Sequence, residues 1–272
     1  MTTLGPALRR ARLLVAYDGS HFHGFAENRD VRTVAGVLRE SLSLIARRDV
    51  DLTGAGRTDA GVHAWGQTVS CDLPEDLDLA NLPQRLTKMC APGVVVRSVE
   101  WTDPDFNARF SAEWRHYRYR ILNELVPDPF LAATTWHIAE PLDLSLMRLG
   151  CDPIIGEHDF SAFCRRPAHE PDQDPVSLHR KVLSASWSVE TSDKGQRLLI
   201  LDIRAKSFCH QMVRSIVGTL VDVGLRRLTP GQIRGILASR DRSQAGQVAP
   251  PQGLTLWEVG YPRPEAAHEA EN

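Results

Sequence analysis

Residues 54–66 read GAGRTDAGVHAWG and place one carboxylate, Asp59, inside a glycine-rich segment. Glycines allow a sharp turn or a close approach to another backbone, so this spacing predicts a loop that holds Asp59 in a defined position. Arg57 lies two residues earlier, and a neighbouring cation keeps a carboxylate ionised. A lone ionised carboxylate is suited to attack on a sugar carbon or a phosphoryl group. The alternative is a turn aspartate that hydrogen-bonds only its own backbone.

Aromatic residues are interleaved with arginines in the string RFSAEWRHYRYR, residues 109–120. On a strand, successive side chains point to opposite faces. One face carries Arg115, Tyr117 and Tyr119, and the other carries Trp114, His116, Arg118 and Arg120. Either face suits a single-stranded nucleic acid, whose bases stack on aromatic rings and whose phosphates bind cations. A solvated edge strand, whose charges oppose aggregation, is an equally good interpretation.

Further cations occur in two other segments. Arg214 lies in the helical segment FCHQMVRSIVG, one turn after His210. A covered arginine at this position would need an anion such as Asp59, although spacing alone favours solvent or a surface acid. Arg165 and Arg166 follow GEHDFSAFC, and we interpret them as phosphate contacts, with surface solvation as the alternative.

Histidines and cysteines do not form a recognisable metal or catalytic pattern. His21 and His23 have no cysteine or acid at ligand spacing, so no metal site is predicted. His158 and Cys164 lack an asparagine or aspartate that would orient a Cys–His pair. The five cysteines are odd in number and contain no C-x-x-C pair, which argues against a disulfide framework or a zinc cluster and favours a reducing cytoplasm.

Hydrophobic periodicity predicts the secondary structure that carries these side chains. In the first half, strands are predicted at 12–17, 50–53, 67–73 and 94–101, and helices over 33–45, with Thr33 as N-cap, and over 79–89. In the second half, strands are predicted at 114–122, 179–190, 197–205 and 254–261. Helices are predicted there over 144–150, over 212–223 and after the capping box Thr229-Pro230-Gly231-Gln232.

Each half therefore has the order β-α-β-β-α-β. This order predicts an α+β fold of two RNP-like or ferredoxin-like halves with mainly antiparallel sheets, either separate or joined. The N-terminal domain spans 8–110 and carries the Asp59 loop, and the C-terminal domain spans 111–262 and carries Tyr117 and Arg214.

Composition restricts the class of partner. The chain has 272 residues, 42% of them hydrophobic, and a net charge of −2, which by itself argues against a nucleic-acid partner. All but four of the cations are arginine, however, and they cluster at 109–120 and 165–166, whereas acids collect at 75–78, at 170–174 and in the C-terminal tail. A basic face is therefore compatible with the net charge. The only apolar run near the N-terminus, Leu13–Tyr17, is too short for a signal peptide or a membrane span, so we expect a soluble protein without membrane association.

Taken together, the motifs resemble one family, the TruA family of tRNA pseudouridine synthases. The resemblance lies in YDGS (17–20), GAGRTDAGVHA (54–64), FNARFSAEWRHYRYRI (106–121), GEHDFSAF (156–163), FCHQMVRSIVGTLVDVG (208–224) and APPQGLTLWEVGY (249–261). These segments occur in the family's order and cover nearly the whole chain. Three segments differ from the family's usual pattern: Phe22–Ala26, Thr33–Ala35 and Lys88–Pro92.

The resemblance implies specific roles. Asp59 matches the catalytic aspartate, Tyr117 the tyrosine that stacks beneath the target uracil, and Arg214 the arginine that pairs with the aspartate. Arg57 matches a residue implicated in displacing the base from the anticodon stem. We also expect substrate contacts from further residues, namely Thr58, His63, Arg109, Arg115, Arg165, Arg166 and His210.

The resemblance also implies an activity and its partners. Family members isomerise uridines 38–40 of tRNA without cofactor or metal, act as homodimers, and bind tRNA in a basic cleft between the two halves. A cytoplasmic location is expected. Asp59 would either attack C1′ or act as a base that produces a glycal, and the sequence leaves both open.

Two other functions are considered. A non-catalytic tRNA-binding paralogue would keep the fold without the reaction. A glycoside or nucleoside enzyme that acts on small molecules would use Asp59 as nucleophile, but no second carboxylate of the usual kind lies near it in the sequence.

Overall fold

The computed structural model describes residues 6–166 and 176–262. The acidic stretch 170–174 and the C-terminal tail lie outside these residues. The strands are β1 (Leu8–Tyr17), β2 (Thr53–Gly54), β3 (His63–Pro74), β4 (Val94–Trp101), β5 (Trp114–Leu122), β6 (Trp136–His137), β7 (Gly156–Asp159), β8 (His179–Thr191), β9 (Arg197–Ala205) and β10 (Leu254–Gly260). The helices are α1 (Val34–Ala46), α2 (Leu82–Cys90), α3 (Leu144–Leu149), α4 (Met212–Gly224) and α5 (Gln232–Ser239).

The strands form one mixed sheet in the order β4-β1-β3-β10-β5-β9-β8-β7, with β2 paired to β3 and β6 paired to β5. Neighbouring strands are antiparallel except at β10–β3 and β5–β6. The β10–β3 pairing, which places Thr255 opposite His63, joins the strands of the first half to those of the second. The predicted α+β class with a mainly antiparallel sheet is confirmed, and the sheet is continuous.

The helices form where their local signals predict them. In α1, the Thr33 hydroxyl caps the helix by accepting a hydrogen bond from the Gly36 N–H (3.2 Å), and Leu38 and Leu42 are fully buried on one stripe. Before α5, the Thr229 N–H donates to the Gln232 side chain (2.7 Å), the contact that a capping box predicts, although the helix itself begins only at Gln232. No helix in the described residues is both long and apolar enough to cross a membrane.

The strand β5 lies between β10 and β9 in the middle of the sheet. The interpretation of this segment as a solvated edge strand is therefore wrong. On one face, Tyr119 is fully buried and its hydroxyl donates to the Pro250 carbonyl (2.8 Å). On the other face, Arg118 binds the Asp202 carboxylate of β9 (3.0 Å), so its charge is paired within the sheet.

Several short elements differ from the prediction. The strand predicted at 50–53 is the two-residue β2, and neither β6 nor β7 is predicted by the sequence. These strands have two to four residues, which is too short for an alternating pattern, and each is defined by the partner strand to which it pairs.

The cysteine prediction is wrong for one pair. Cys164 and Cys209, 45 residues apart in the sequence, form a disulfide with their Cα atoms 5.8 Å apart. The remaining three cysteines, Cys71, Cys90 and Cys151, are free and buried. An odd number of cysteines excludes complete pairing but not one long-range pair, because tertiary contacts decide which thiols meet.

Candidate active site

The loop that carries Asp59 runs from the end of β2 to the start of β3. Two of its glycines are required by geometry. A Cβ at Gly54 would overlap the Phe25 ring, and Gly61 has φ +78°, where a Cβ would also approach Pro251 to 2.9 Å. The glycines therefore provide both a close approach and a turn, as the sequence predicts. The atypical segment Phe22–Ala26 supports this loop through Phe25.

Buried polar side chains hold the loop from below. The Gln67 amide donates to the Gly56 carbonyl (2.8 Å) and accepts from the Gly56 N–H (3.3 Å), and the Tyr17 hydroxyl hydrogen-bonds the Thr58 hydroxyl (2.8 Å). Burial raises the pKa of Tyr17 to about 12 although its bonds to Thr58 and Gln67 lower it, so the phenol is neutral at physiological pH. Thr58, expected to contact substrate, is instead a buried support for the loop.

Arg115 is a second support. It is only 9% exposed, and its guanidinium donates to the carbonyls of Ala55 (3.0 Å), Lys206 (2.7 Å) and Arg109. No carboxylate in the described residues forms an ion pair with it, and burial lowers its pKa. Backbone oxygens therefore occupy the N–H groups that we expected to contact substrate, and Arg115 joins the Asp59 loop to β5 and β9.

Asp59 itself faces one arginine and one histidine. Its Oδ2 lies 3.2 Å from Nη1 of Arg214, and its Oδ1 lies 3.3 Å from Nε2 of His210. The Arg214 side chain is 14% exposed and also donates to the Ala249 carbonyl (2.7 Å), whereas Asp59 is 23% exposed. Asp59 and Arg214, which are 155 positions apart in the sequence, therefore form the contact considered above. The alternative, that the Arg214 side chain lies in solvent, is wrong. One carboxylate is thus held in place while part of it faces outward.

Tyr117 lies on the same side of β5 as Arg115. Its ring packs edge-on against Phe208, with centroids 5.1 Å apart. Burial raises the pKa of Tyr117, and the charge of Asp59 raises it further, so the ring is a neutral phenol. A neutral aromatic ring is suited to stacking on a base.

The other predicted residues divide between interior and surface. His63 is buried, with Nδ1 accepting from the Gly19 N–H (3.1 Å) and Nε2 close to the carbonyls of Ala133 (3.0 Å) and Gln252 (3.1 Å), so protein groups occupy both nitrogens. Four predicted arginines are exposed: Arg57, Arg109, Arg165 and Arg166.

Sequence reasoning missed three polar residues that complete the site. They are Tyr17, Gln67 and Arg242, the last of which donates to the Gln211 amide oxygen (2.6 Å). The signal for Gln67 was available, because strand alternation puts this polar residue on the inward face with Val69 and Cys71. No group of three or more potential metal ligands occurs among the described residues.

Comparisons with known proteins point to the same family as the motifs. A family profile described as tRNA pseudouridine synthase matches residues 13–111 and 151–262. The chain is similar to tRNA pseudouridine synthase A of Brevibacillus brevis, with 36% identity over 93% of this chain and all of the relative. It is also similar to the protein of the same name from Cutibacterium acnes, with 40% identity over 95% of this chain and 91% of the relative.

Proposed function

The chain belongs to the tRNA pseudouridine synthase family, and from this premise we propose that it isomerises uridine to pseudouridine at positions 38–40 of the anticodon stem-loop of tRNA. The observation that carries the catalytic assignment is Asp59, held by Arg214 and His210 at 3.2 and 3.3 Å and 23% exposed. These contacts hold the carboxylate in place and leave it access to a ligand.

A single carboxylate is sufficient for this reaction. The N1–C1′ bond of uridine breaks, the base turns over within the site, C5 bonds to C1′, and the proton on C5 leaves while N1 gains one. Asp59 would either attack C1′ or remove a sugar proton to give a glycal, and both routes use the same group in the same place. No second carboxylate is required, because no group is added to or removed from the nucleoside.

The target base must leave its helix before it reaches Asp59, which costs about a few kcal/mol. Arg57 is exposed on the same loop two residues before Asp59, which suits insertion into the vacated place. The neutral Tyr117 ring would stack on the displaced base and offset part of the cost.

The two predicted halves, 8–110 and 111–262, are part of this proposal. Strand order supports them. The first half reads β4-β1-β3-β2, and the second half, without the short β6 and β7, reads β10-β5-β9-β8. In each half, the strands therefore lie in the order fourth, first, third and second along the chain. We propose that tRNA lies in a basic cleft between them, where the exposed Arg57 and Arg109 belong to one side and Arg165 and Arg166 to the other. The family resemblance further supports a homodimer in the cytoplasm.

Tritium release from tRNA labelled at uridine C5 tests the proposal. The wild-type protein should release tritium, and Asp59→Asn should lower the rate on the order of 10⁴-fold or more while keeping tRNA affinity. Asp76→Asn, which changes an exposed carboxylate, is the matched control and should behave as wild type. Binding without release by the wild type would instead favour the non-catalytic paralogue.

A further inference from the structure

A cavity of about 590 Å³ opens beside the Asp59 cluster. Half of its lining residues are arginines; the full set is Ser161, Cys164, Arg165, Arg166, Gln211, Arg240, Asp241 and Arg242. The cavity and Asp59 share one segment, because the Arg165 N–H donates to the His210 carbonyl (2.9 Å) and the His210 ring lies 3.3 Å from Asp59. A ligand in the cavity would therefore be close to the reacting carboxylate.

Among the described residues, the positive charge of this cavity is only partly compensated. Arg240 pairs with Asp159 (3.1 Å), and the Asp241 carboxylate is occupied by the N–H (2.9 Å) and hydroxyl (2.8 Å) of Ser243. Within residues 6–166 and 176–262, no carboxylate lies within ion-pair distance of the remaining three arginines, which are Arg165, Arg166 and Arg242.

Arg242 is the most confined of these three. Its Nη2 donates to Gln211 (2.6 Å), while its Nη1 is covered and has no hydrogen-bond partner in the described part of the chain. Burial lowers the pKa of Arg242, and the charges of Arg165 and Arg214 lower it further. A covered donor without a partner is costly, and guanidinium groups gathered at one place repel each other unless an anion lies between them.

The surrounding backbone favours an anion as well. Gln211, at the wall of the cavity, immediately precedes α4, whose N-terminus carries partial positive charge. The disulfide between Cys164 and Cys209 links the segment of Arg165 to the segment of His210, so both sides of the cavity are held at a fixed separation. Planar guanidinium groups bind phosphate oxygens with paired hydrogen bonds.

We propose that this cavity binds one phosphodiester group of the substrate RNA strand next to the target nucleotide, with Arg242 as the central contact and Arg165 and Arg166 at its entrance. The proposal rests on the proposed function for the identity of the RNA. The phosphate contact anchors the strand beside the His210–Asp59 pair, so that the displaced base is directed toward Asp59.

The test measures tRNA affinity of the full-length protein between 50 and 200 mM salt. A lost phosphate contact reduces the slope of log affinity against log salt concentration by about 0.7–0.9. Between 50 and 200 mM salt, the affinity of the wild type should therefore fall about threefold more than the affinity of Arg242→Gln. Arg242→Lys should restore most of the slope. Arg234→Gln removes an exposed charge of α5 outside the cavity and should match wild type. A wild-type slope in a folded Arg242→Gln protein overturns the proposal.

A second experiment changes the RNA and leaves Arg242 in place. It therefore tests the proposal even if the Arg242→Gln protein does not fold. Single uncharged methylphosphonate linkages are placed through the anticodon stem-loop. One linkage next to the target uridine should reduce the salt dependence of wild-type binding by about threefold across this range, and the reduction should be smaller for Arg165→Gln, which has lost part of the same contact. If the effect of Arg165→Gln and the effect of the uncharged linkage are additive at every linkage position, the proposal is contradicted.

Two controls are needed. The first distinguishes an RNA phosphate from free phosphate as the ligand, and the second distinguishes the phosphate site from the isomerase activity. If inorganic phosphate binds in an Arg242-dependent manner while no linkage matters, the cavity holds free phosphate and the RNA assignment is wrong. Tritium release on the same samples reports the proposed function independently: no release together with an Arg242-dependent slope refutes the isomerase and retains the phosphate site.

Discussion

Two walls meet at Asp59, and their polar groups are satisfied in different ways. The first wall is the 54–61 loop with its supports Tyr17, Gln67 and Arg115, whose hydrogen-bonding groups are occupied by other protein groups. The second wall consists of residues 161–166, 208–214 and 240–242, where three guanidinium groups, those of Arg165, Arg166 and Arg242, have no carboxylate partner among the described residues. The first wall fixes a reacting group, and the second has charge available for a ligand.

The difference has a physical reason. A buried donor or acceptor without a partner costs about 1–3 kcal/mol, so a wall that only positions a side chain is more stable when every polar group is paired. A wall that binds an anion has to keep cations unpaired until the ligand arrives. The four predictions below test this contrast through the free energy of unfolding.

The largest effect is expected for Arg115→Met in the first wall. The variant leaves the carbonyls of Ala55, Lys206 and Arg109 without their donor, the first of them buried, so the free energy of unfolding should fall by about 3–5 kcal/mol. Urea unfolding measures it. Arg204→Met makes the same change at an exposed position of β9 and should cost less than about 1 kcal/mol. Equal losses in both variants would contradict the supporting role of Arg115.

Arg214→Ala should have the next largest effect, because it removes the group that joins the two walls. The variant leaves the partly buried Asp59 without its arginine partner, and we expect the free energy of unfolding to fall by about 3 kcal/mol, the low end for a buried pair, since Asp59 is 23% exposed. The control is Arg227→Ala, whose ion pair with Asp222 has a similar length of 3.3 Å but is 60% exposed on the arginine side. It should lose at most about 1 kcal/mol in thermal or urea unfolding.

Cys164→Ser with Cys209→Ser should weaken the second wall. Opening a loop of 45 residues typically costs 2–4 kcal/mol, and we expect about 2 kcal/mol because the His210–Asp59 pair also holds this segment. Reductant should lower the melting temperature of the wild type and leave the double variant unchanged. An equal response of both proteins would show that the disulfide does not stabilise the wall.

Tyr17→Phe should have the smallest effect. It removes one buried hydroxyl that binds Thr58 at 2.8 Å, which corresponds to about 1 kcal/mol. Thr58→Val combined with Tyr17→Phe should cost less than the sum of the single variants, because both remove the same bond. Additive losses would mean that the hydroxyl pair does not hold the loop.

The two walls also differ in how much of each can be predicted from the sequence. The Asp59 loop, α1, β4 and β5 are predicted from glycine spacing and local periodicity. Arg115 and His63 are predicted as substrate contacts, yet they lie inside the protein. Residue type indicates that a guanidinium or an imidazole binds something, but not whether its partner is a ligand or a carbonyl of this chain. That depends on the direction of the side chain in the folded protein.

The sequence by itself determines which residues are chemically competent, the order of the elements and the family, because these depend on residue identity and on spacing within one segment. Only the tertiary structure decides that β3 and β10 join two sets of strands, that Cys164 meets Cys209, and that Arg242 faces a cavity beside Asp59. Each of these contacts joins residues at least 31 positions apart. A local pattern specifies which face of a segment is buried, but the packing of the whole chain selects the segment that covers it.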